Sequence, residues 1–439
     1  MSSFKRLKLA RTFNHQLVTA SSDTSPKHEW LLLLVLVAVQ FTHILDFVIM
    51  MPLGPQLMRV FEISPQEFGF IVSAYTFSAG ITGFLSAFFI DKFDRRTALL
   101  FLYSGFTIGT FLCGIAPTYL TLMLARIVAG GFGGVLGALI FAVIGDCIPE
   151  ERRGAATGTV MSAFSIASVA GVPIGLYLAN HFGWHFPFFM LAALSAIALA
   201  LAYKELPSMR GHLQTHASHE TPLEAIQKLY ALVAHPNHRN ALLLMVVLMV
   251  GGFTVIPYIS PYFVANVGMS ESELPLIYFF GGAATIFTSR FVGHLADRFG
   301  KAKVFTLMSL SSMVAIYAIT NVPQVPLVLA LAITTLFMIT MNGRLVPAVA
   351  LVTSSVEPKS RGSFMSINSS AQQLASGASS FVAGLIVGKA TDGAMTNYHL
   401  VGLLAIGATI LCLFLVQRIR LIEEVGKVPV QETALIKDV

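Results

Sequence analysis

Polar residues along this chain gather into short clusters, and long apolar runs fill the space between them. Twelve runs are long enough to cross ~30 Å of hydrocarbon at a helical rise of ~1.5 Å per residue. They cover 30–51, 66–90, 97–115, 119–146, 155–179, 185–203, 240–263, 274–296, 303–320, 325–351, 363–388 and 398–416. Runs of this length predict α-helices. Only helices and closed barrels satisfy their own backbone in lipid, and barrel strands are shorter and alternate. The pattern reads as an all-α membrane protein.

The longest polar interval, 204–239, divides the spans six and six. It holds Pro207, Gly211, Pro222 and Pro236, the punctuation of a linker, with room for a short surface helix near 222–233. The expected organisation is a tail at 1–29, a bundle at 30–203, the linker at 204–239, a second bundle at 240–418 and a tail at 419–439. The halves echo each other. AFFIDKFDRR (87–96) follows the second span and GHLADRFGKAK (293–303) the eighth, with Asp91 and Asp297 206 positions apart. ERRGAATG (151–158) opens the fifth span and KSRGSFMS (359–366) the eleventh, with Arg153 and Arg361 208 apart. Two features at nearly one offset imply a duplicated six-helix unit, and hence two pseudo-symmetric bundles.

Composition agrees. Charged residues are 11% of the 439, where a soluble domain carries about 25%. Mean hydropathy is +0.75, too apolar for a water-soluble enzyme or a disordered chain. With the N-terminus inside, inner segments hold 23 of the 28 Lys and Arg, and outer loops hold Arg59 and Lys389. That bias puts both termini in the cytosol. The net charge of +6 is then a record of topology and calls for no nucleic-acid partner. Residues 4–13 could form a basic surface helix or a solvated tail. Cys113, Cys147 and Cys412 lie in or at the ends of spans and make no disulfide framework. His212, His216 and His219 have the spacing of a metal-binding helix face, but the flanking Pro and Gly favour a solvated linker, so no metal site is expected. No nucleotide loop, nucleophile elbow or zinc-protease signature occurs, so neither an enzyme nor a cofactor is expected.

Three arginines fall inside the spans, and Asp46 is the one acidic residue well inside a span. Asp46 sits on the first helix, with His43 one turn before it; Arg126 lies on the fourth, Arg290 on the eighth and Arg344 on the tenth, beside Asn342. An ionisable group in hydrocarbon is costly unless it meets a cavity or a partner. Burial and a neighbouring cation act oppositely on a carboxylate, which can bring its titration toward neutrality, as proton coupling requires. A fixed Asp46–Arg126 pair holding two helices together is the plainer alternative. Tyr258 and Tyr262 share a face of the seventh helix, which Pro257 and Pro261 should loosen. The eleventh helix is polar for a span, with Asn368, Gln372, Gln373 and Ser376; helix packing or substrate contact would each explain it. Tyr75 and Tyr278 are weaker candidates.

These motifs resemble the major facilitator superfamily over the whole chain except its tails. Gly293 to Lys303 is similar to the family's G-x-x-x-D-R-x-G-R-K signature; the first copy is degenerate, with Ala87 and Asp94 for the glycines and Lys92 for an arginine. Arg126-Ile-Val-Ala-Gly130 matches its R-x-x-x-G pattern, and Gly171-Val-Pro173-Ile-Gly175 looks like a reordered antiporter motif of the drug- and sugar-efflux branch. The resemblance implies that Asp91 meets the start of the eleventh helix and Asp297 that of the fifth. Arg95, Asp146, Arg153, Arg298 and Arg361 would complete this gate. It implies that Arg126 serves proton relay or anchors an anion, and that helices 1, 4, 7 and 10 line a central cavity. There Arg344, Asn342, Tyr258, Tyr262, Gln372 and Gln373 would contact substrate, and Asp46, His43 and Arg126 would couple protons. The leading expectation is a monomeric, proton-coupled exporter of small organic molecules in a bacterial inner membrane. A uniporter or symporter of the same fold for an organic anion or metal ion is the first alternative, and a non-transporting receptor or scaffold the second.

Overall fold

The computed structural model describes residues 26–421 apart from 87, 207, 210–226, 228 and 229. The helix expected at 4–13, most of the linker helix near 222–233 and the linker histidines lie outside these residues. Twelve long helical segments follow one another. They are α1 (Pro26–Ile49), α2 (Pro65–Ser86), α3 (Arg95–Gly114) and α4 (Tyr119–Cys147). Next come α5, made of Glu150–Ile166 and Val172–Phe182 joined by a π turn, and α6 (Phe186–Glu205). The second half holds α7 (Pro236–Phe253), α8 (Leu274–Phe299), α9 (Lys301–Asn321), α10 (Leu327–Ser354), α11 (Pro358–Ile386) and α12 (Tyr398–Val416). A two-stranded ladder, Gly388–Lys389 against Met395–Thr396, joins the last two.

Eleven of the twelve are long and apolar enough to cross a membrane; α11 has the length, 29 residues, but not the hydropathy. Two of its hydroxyls bond only its own backbone: Ser376 donates to the Gln372 carbonyl at 2.7 Å and Ser379 to that of Ala375 at 2.5 Å. A polar face satisfied in this way can lie against α2 and α7, which shield it.

The repeat is visible in packing. In the first half α2 packs on α4, α3 on α4 and α6, and α1 on α5 and α6. In the second α8 packs on α10, α9 on α10 and α12, and α7 on α11 and α12. The halves meet through α2 with α11 and α5 with α8, which exchange under the same two-fold. Even the helix starts repeat. The Glu67 carboxylate accepts from the Ser64 N–H and hydroxyl ahead of α2, and Glu273 accepts likewise from Ser270 ahead of α8, 206 positions on.

The apolar cores are arranged unequally along the membrane normal. Near the face where α1 begins and α12 ends, the terminal face, each half has its own core. One is built on Leu36, Val39, Phe106 and Ile140, the other on Leu244, Met245, Phe305 and Leu351. Toward the far face a single cluster joins both halves, from Leu45, Ile49 and Phe68 to Tyr258, Phe263 and Ile277. The apolar cores of the two bundles are thus joined at the far face and separate at the terminal one.

Candidate functional site

Asp46 is fully buried near the far end of α1, and it is the sole acid among the described residues to be buried. Arg126 Nη1 donates to its Oδ2 at 2.7 Å and to its backbone carbonyl at 3.3 Å. Thr110 on α3 donates to Oδ1 at 3.2 Å. The Arg126 guanidinium also lies 4.1 Å over the Tyr75 ring. Tyr75 comes within reach because Gly130, one turn from Arg126, has no side chain; a Cβ there would strike the Tyr75 backbone. Gly171 and Gly175 serve α1 in the same way, giving room to Leu45 and Ile49, where added Cβ atoms would sit 2.7 and 2.8 Å away. Pro173 begins the helical piece after the π turn that sets these glycines against α1. His43 presents its ring edge-on to Phe106 at 5.9 Å between centroids.

From this pair an aromatic stack crosses to the other bundle. Tyr75 stacks on Phe47 at 5.6 Å, and Phe47 meets Phe253 of α7 at 5.7 Å. Phe253 is the last residue of α7 before the chain breaks into a 3₁₀ turn at Ile256–Tyr258, a short helix Ile259–Tyr262 and a π turn Phe263–Val267. Pro257 lacks the N–H that would bond the Phe253 carbonyl, and Ser380 of α11 supplies a hydroxyl to it at 3.3 Å. Tyr398 donates to the Val255 carbonyl at 2.9 Å.

Tyr258 and Tyr262 both point into protein. Tyr258 Oη donates to the Pro65 carbonyl at 3.2 Å, at the head of α2, and to that of Ser380 at 3.4 Å. Its hydroxyl fills a socket between Gly69 and Gly384; a Cβ on either would collide with it. Tyr262 donates to the Val322 carbonyl at 3.0 Å and packs on Tyr398. Farther out the Arg59 guanidinium pairs with Glu271, and Asn180 donates to the Glu271 carbonyl at 3.0 Å. The Glu271 carboxylate holds the exposed Arg59 above its ordinary range, so it stays charged. Tyr258, Arg59 and Asn180 each tie one half to the other at the far face.

Arg344 is 2% exposed and aims away from α4, between α7, α9 and α12. Nη1 donates to Thr409 at 2.8 Å and to Ser312 at 3.4 Å, and Nη2 lies 3.2 Å from where a Cβ on Gly251 would be. Among the described residues it has no acid partner. Asn342 donates to Ser289 of α8 at 3.1 Å; Gln372 and Gln373 are half-buried on α11. At the terminal face Arg95 pairs with Asp146 at 3.0 Å and Arg153 Nε donates to the Ile148 carbonyl at 2.9 Å. Asp297, Arg298 and Arg361 are exposed, and among the described residues no ion pair joins Asp297 to α5. The Asp91 side chain lies outside the description.

Reasoning from sequence brought Asp46, His43 and Arg126 together and rated Tyr75 low. Thr110, Ser312 and Thr409 were missed, because a hydroxyl in a span most often bonds its own helix and leaves no pattern to read. The glycine spacing of α4, which admits Tyr75, was the available signal.

The family model of the Major Facilitator Superfamily matches residues 36–237 and 241–437. The MFS-type transporter YceJ of Bacillus subtilis (strain 168) is 25% identical over 362 residues, covering 82% of this chain and 90% of that one. The inner membrane transport protein YdhP of Escherichia coli (strain K12) is 28% identical over 269 residues, 60% of this chain and 67% of that one. In fold the chain resembles the D-xylose-proton symporter with a TM-score of 0.73, at 17% identity, covering 88% of this chain and 97% of that one. The chain belongs to the Major Facilitator Superfamily. It is an integral membrane transporter for a small-molecule substrate, not an enzyme.

Proposed function

We propose that this transporter is a proton-coupled exporter of small organic molecules, working as a monomer in a bacterial inner membrane with both termini cytosolic. The observation that carries the reading is the Asp46–Arg126 pair, buried at 0% and 1% side-chain exposure. Two unit charges about 4 Å apart at an effective dielectric of about 20 attract by about 4 kcal/mol. Protonating Asp46 removes that attraction and frees Arg126. An energy of this size is close to the ~5.5 kcal/mol that carries a two-state equilibrium from 1:99 to 99:1. The stack from Tyr75 through Phe47 to Phe253 gives the change a route to the broken part of α7. The two bundles share one apolar core at the far face and keep separate cores at the terminal face, which fits a transporter waiting for a cytosolic substrate. Opening the far face would part Tyr258 from Pro65 and Gly69 of the other half. Asp297 would then meet the start of α5, closing the terminal face.

A second reading rests on Arg344. With Asp46 ionised, the three charges Asp46, Arg126 and Arg344 leave the buried interior one unit positive; with Asp46 protonated, two. An anion is then held better when the proton is bound, which is co-binding and favours symport. A cation or a neutral molecule lacks that preference, and a cation competes with the proton, as antiport requires. The sign of substrate charge thus decides the direction of coupling.

The test is a thermal-shift screen of purified protein against cationic, neutral and anionic compounds at two pH values. A cation that stabilises more at the higher pH, and loses that dependence in Asp46→Asn, is the expected result. Ligands that bind without any pH dependence would contradict it.

A further inference from the structure

Around the Asp46–Arg126 pair several fully buried polar atoms have no partner. They are both ring nitrogens of His43, Oη of Tyr75, Nε of Arg126 and Oε1 of Gln40. Most buried polar groups are satisfied, and each orphan costs about 1–3 kcal/mol. Three such side chains beside one ion pair, with Arg126 of the pair orphaned at Nε, are a site rather than a packing accident. Their order is directional: Gln40, His43 and Asp46 follow one another at three-residue steps along α1, winding gradually around the helix, from the middle of the bundle toward the far face. Tyr75 Oη and His43 Nε2 meet at the bare backbone of Gly133 on α4, where an added Cβ would lie 2.8 Å from the one and 3.3 Å from the other. They make no hydrogen bond to each other. The absence of a side chain at Gly133 is what lets both atoms come this close, and a water in reach of both would satisfy them. The titratable and charged groups turned toward this spot are Asp46 and His43 of α1, Tyr75 of α2, Cys113 of α3 and Arg126 of α4. From α7 comes the Phe253 ring. Tyr103 of α3 turns to Thr42 instead, at 2.9 Å.

We propose that Tyr75, His43 and the side-chain-free face of Gly133 form a relay that carries the Asp46 proton toward the terminal face. The inference rests on the reading of Asp46 as the proton carrier. A proton leaves an Asp46 carboxyl oxygen for water held against Gly133. That water passes one of its own protons to Nε2 of His43, and the imidazolium releases the proton on Nδ1 to water on the Gln40 side. One proton is moved and no charge is left on His43 once it is released. Tyr75 keeps its proton; its hydroxyl holds the water, and its ring holds Arg126. Tyr75 is a positioning residue, and Gly133 supplies the room.

The experiment follows Asp46 in the full-length protein reconstituted in lipid, by infrared spectroscopy after an acid jump. The proton itself is the probe, and the carboxylic carbonyl band absent from Asp46→Asn is the readout. Tyr75→Phe keeps the ring over Arg126 and removes the hydroxyl; His43→Gln removes the titratable ring. Both are expected to slow the appearance of the Asp46 band by roughly 100-fold, the low end of positioned proton transfer, with its final amplitude unchanged. Gly133→Ala should slow it as well. A wild-type rate in Tyr75→Phe and His43→Gln, whatever their melting temperatures, would overturn the relay while leaving Asp46 as carrier. A band that never appears in wild type would overturn the reading of Asp46, and the relay with it.

Discussion

Arg126 Nη1 stands 2.7 Å from Asp46 Oδ2 at a point where neither side chain meets solvent. Removing one partner of such a pair strands the other charge, at a cost of about 3–5 kcal/mol. Asp46→Asn and Arg126→Met should each lower stability by that amount. The double variant should lose less than the sum, leaving a coupling energy of about 2 kcal/mol or more. Unfolding of the purified single and double variants in one detergent measures it, and additive losses would mean that the charges do not interact.

Tyr258 is expected to act as a latch. Gly69→Leu would fill its socket and force the ring out, whereas Tyr258→Phe removes one hydrogen bond, shared between two carbonyls and worth about 1 kcal/mol. Both changes should favour the state open at the far face. A cysteine at Ser380, in a background lacking the native cysteines, should react faster with an impermeant maleimide added from outside. Unchanged labelling in both variants would show that Tyr258 does not close that face.

The Arg59–Glu271 pair should matter much less. Arg59 is 62% exposed, and exposed ion pairs contribute about 0–1 kcal/mol and are screened by salt. Arg59→Gln is expected to change Ser380→Cys labelling by less than about fivefold. Raising the salt concentration should produce the same change in the parent protein and none in the variant.

Arg344 is expected to report the sign of the substrate's charge. If the transported molecule is an anion, it should stabilise wild type more at low pH, because protonating Asp46 adds a positive charge to the interior. Arg344→Gln should abolish that stabilisation, while its own melting temperature stays near or above wild type, since it removes a buried cation that has only hydroxyl partners. Thermal shifts with inorganic and carboxylate anions at two pH values read both effects.

Length, polarity and repeat offset made the twelve spans and their division legible, because membrane thickness and backbone satisfaction leave few alternatives. The limits of α7 were not legible. Pro257 and Pro261 announce a disturbance, but the sequence of 3₁₀, short α and π segments depends on which neighbours accept or supply hydrogen bonds, here Ser380 and Tyr398. Asp46 and Arg126 could be named because lone charges in lipid need partners. The direction of a side chain on its helix could not. Tyr258 shares a face with Tyr262, yet it lies in a glycine socket at the far face, and the guanidinium of Arg344 turns to Thr409. Two of the residues around Asp46, Thr110 and Tyr75, are of hydroxyl and aromatic types common in any span.

The central claim is that Asp46 carries the proton, and transport by proteoliposomes separates this from a structural role. Wild type should move substrate uphill when a pH gradient is imposed and should exchange substrate across the membrane without one. Asp46→Asn is expected to lose gradient-driven accumulation and keep exchange. Uphill accumulation by Asp46→Asn at the wild-type rate would contradict the account.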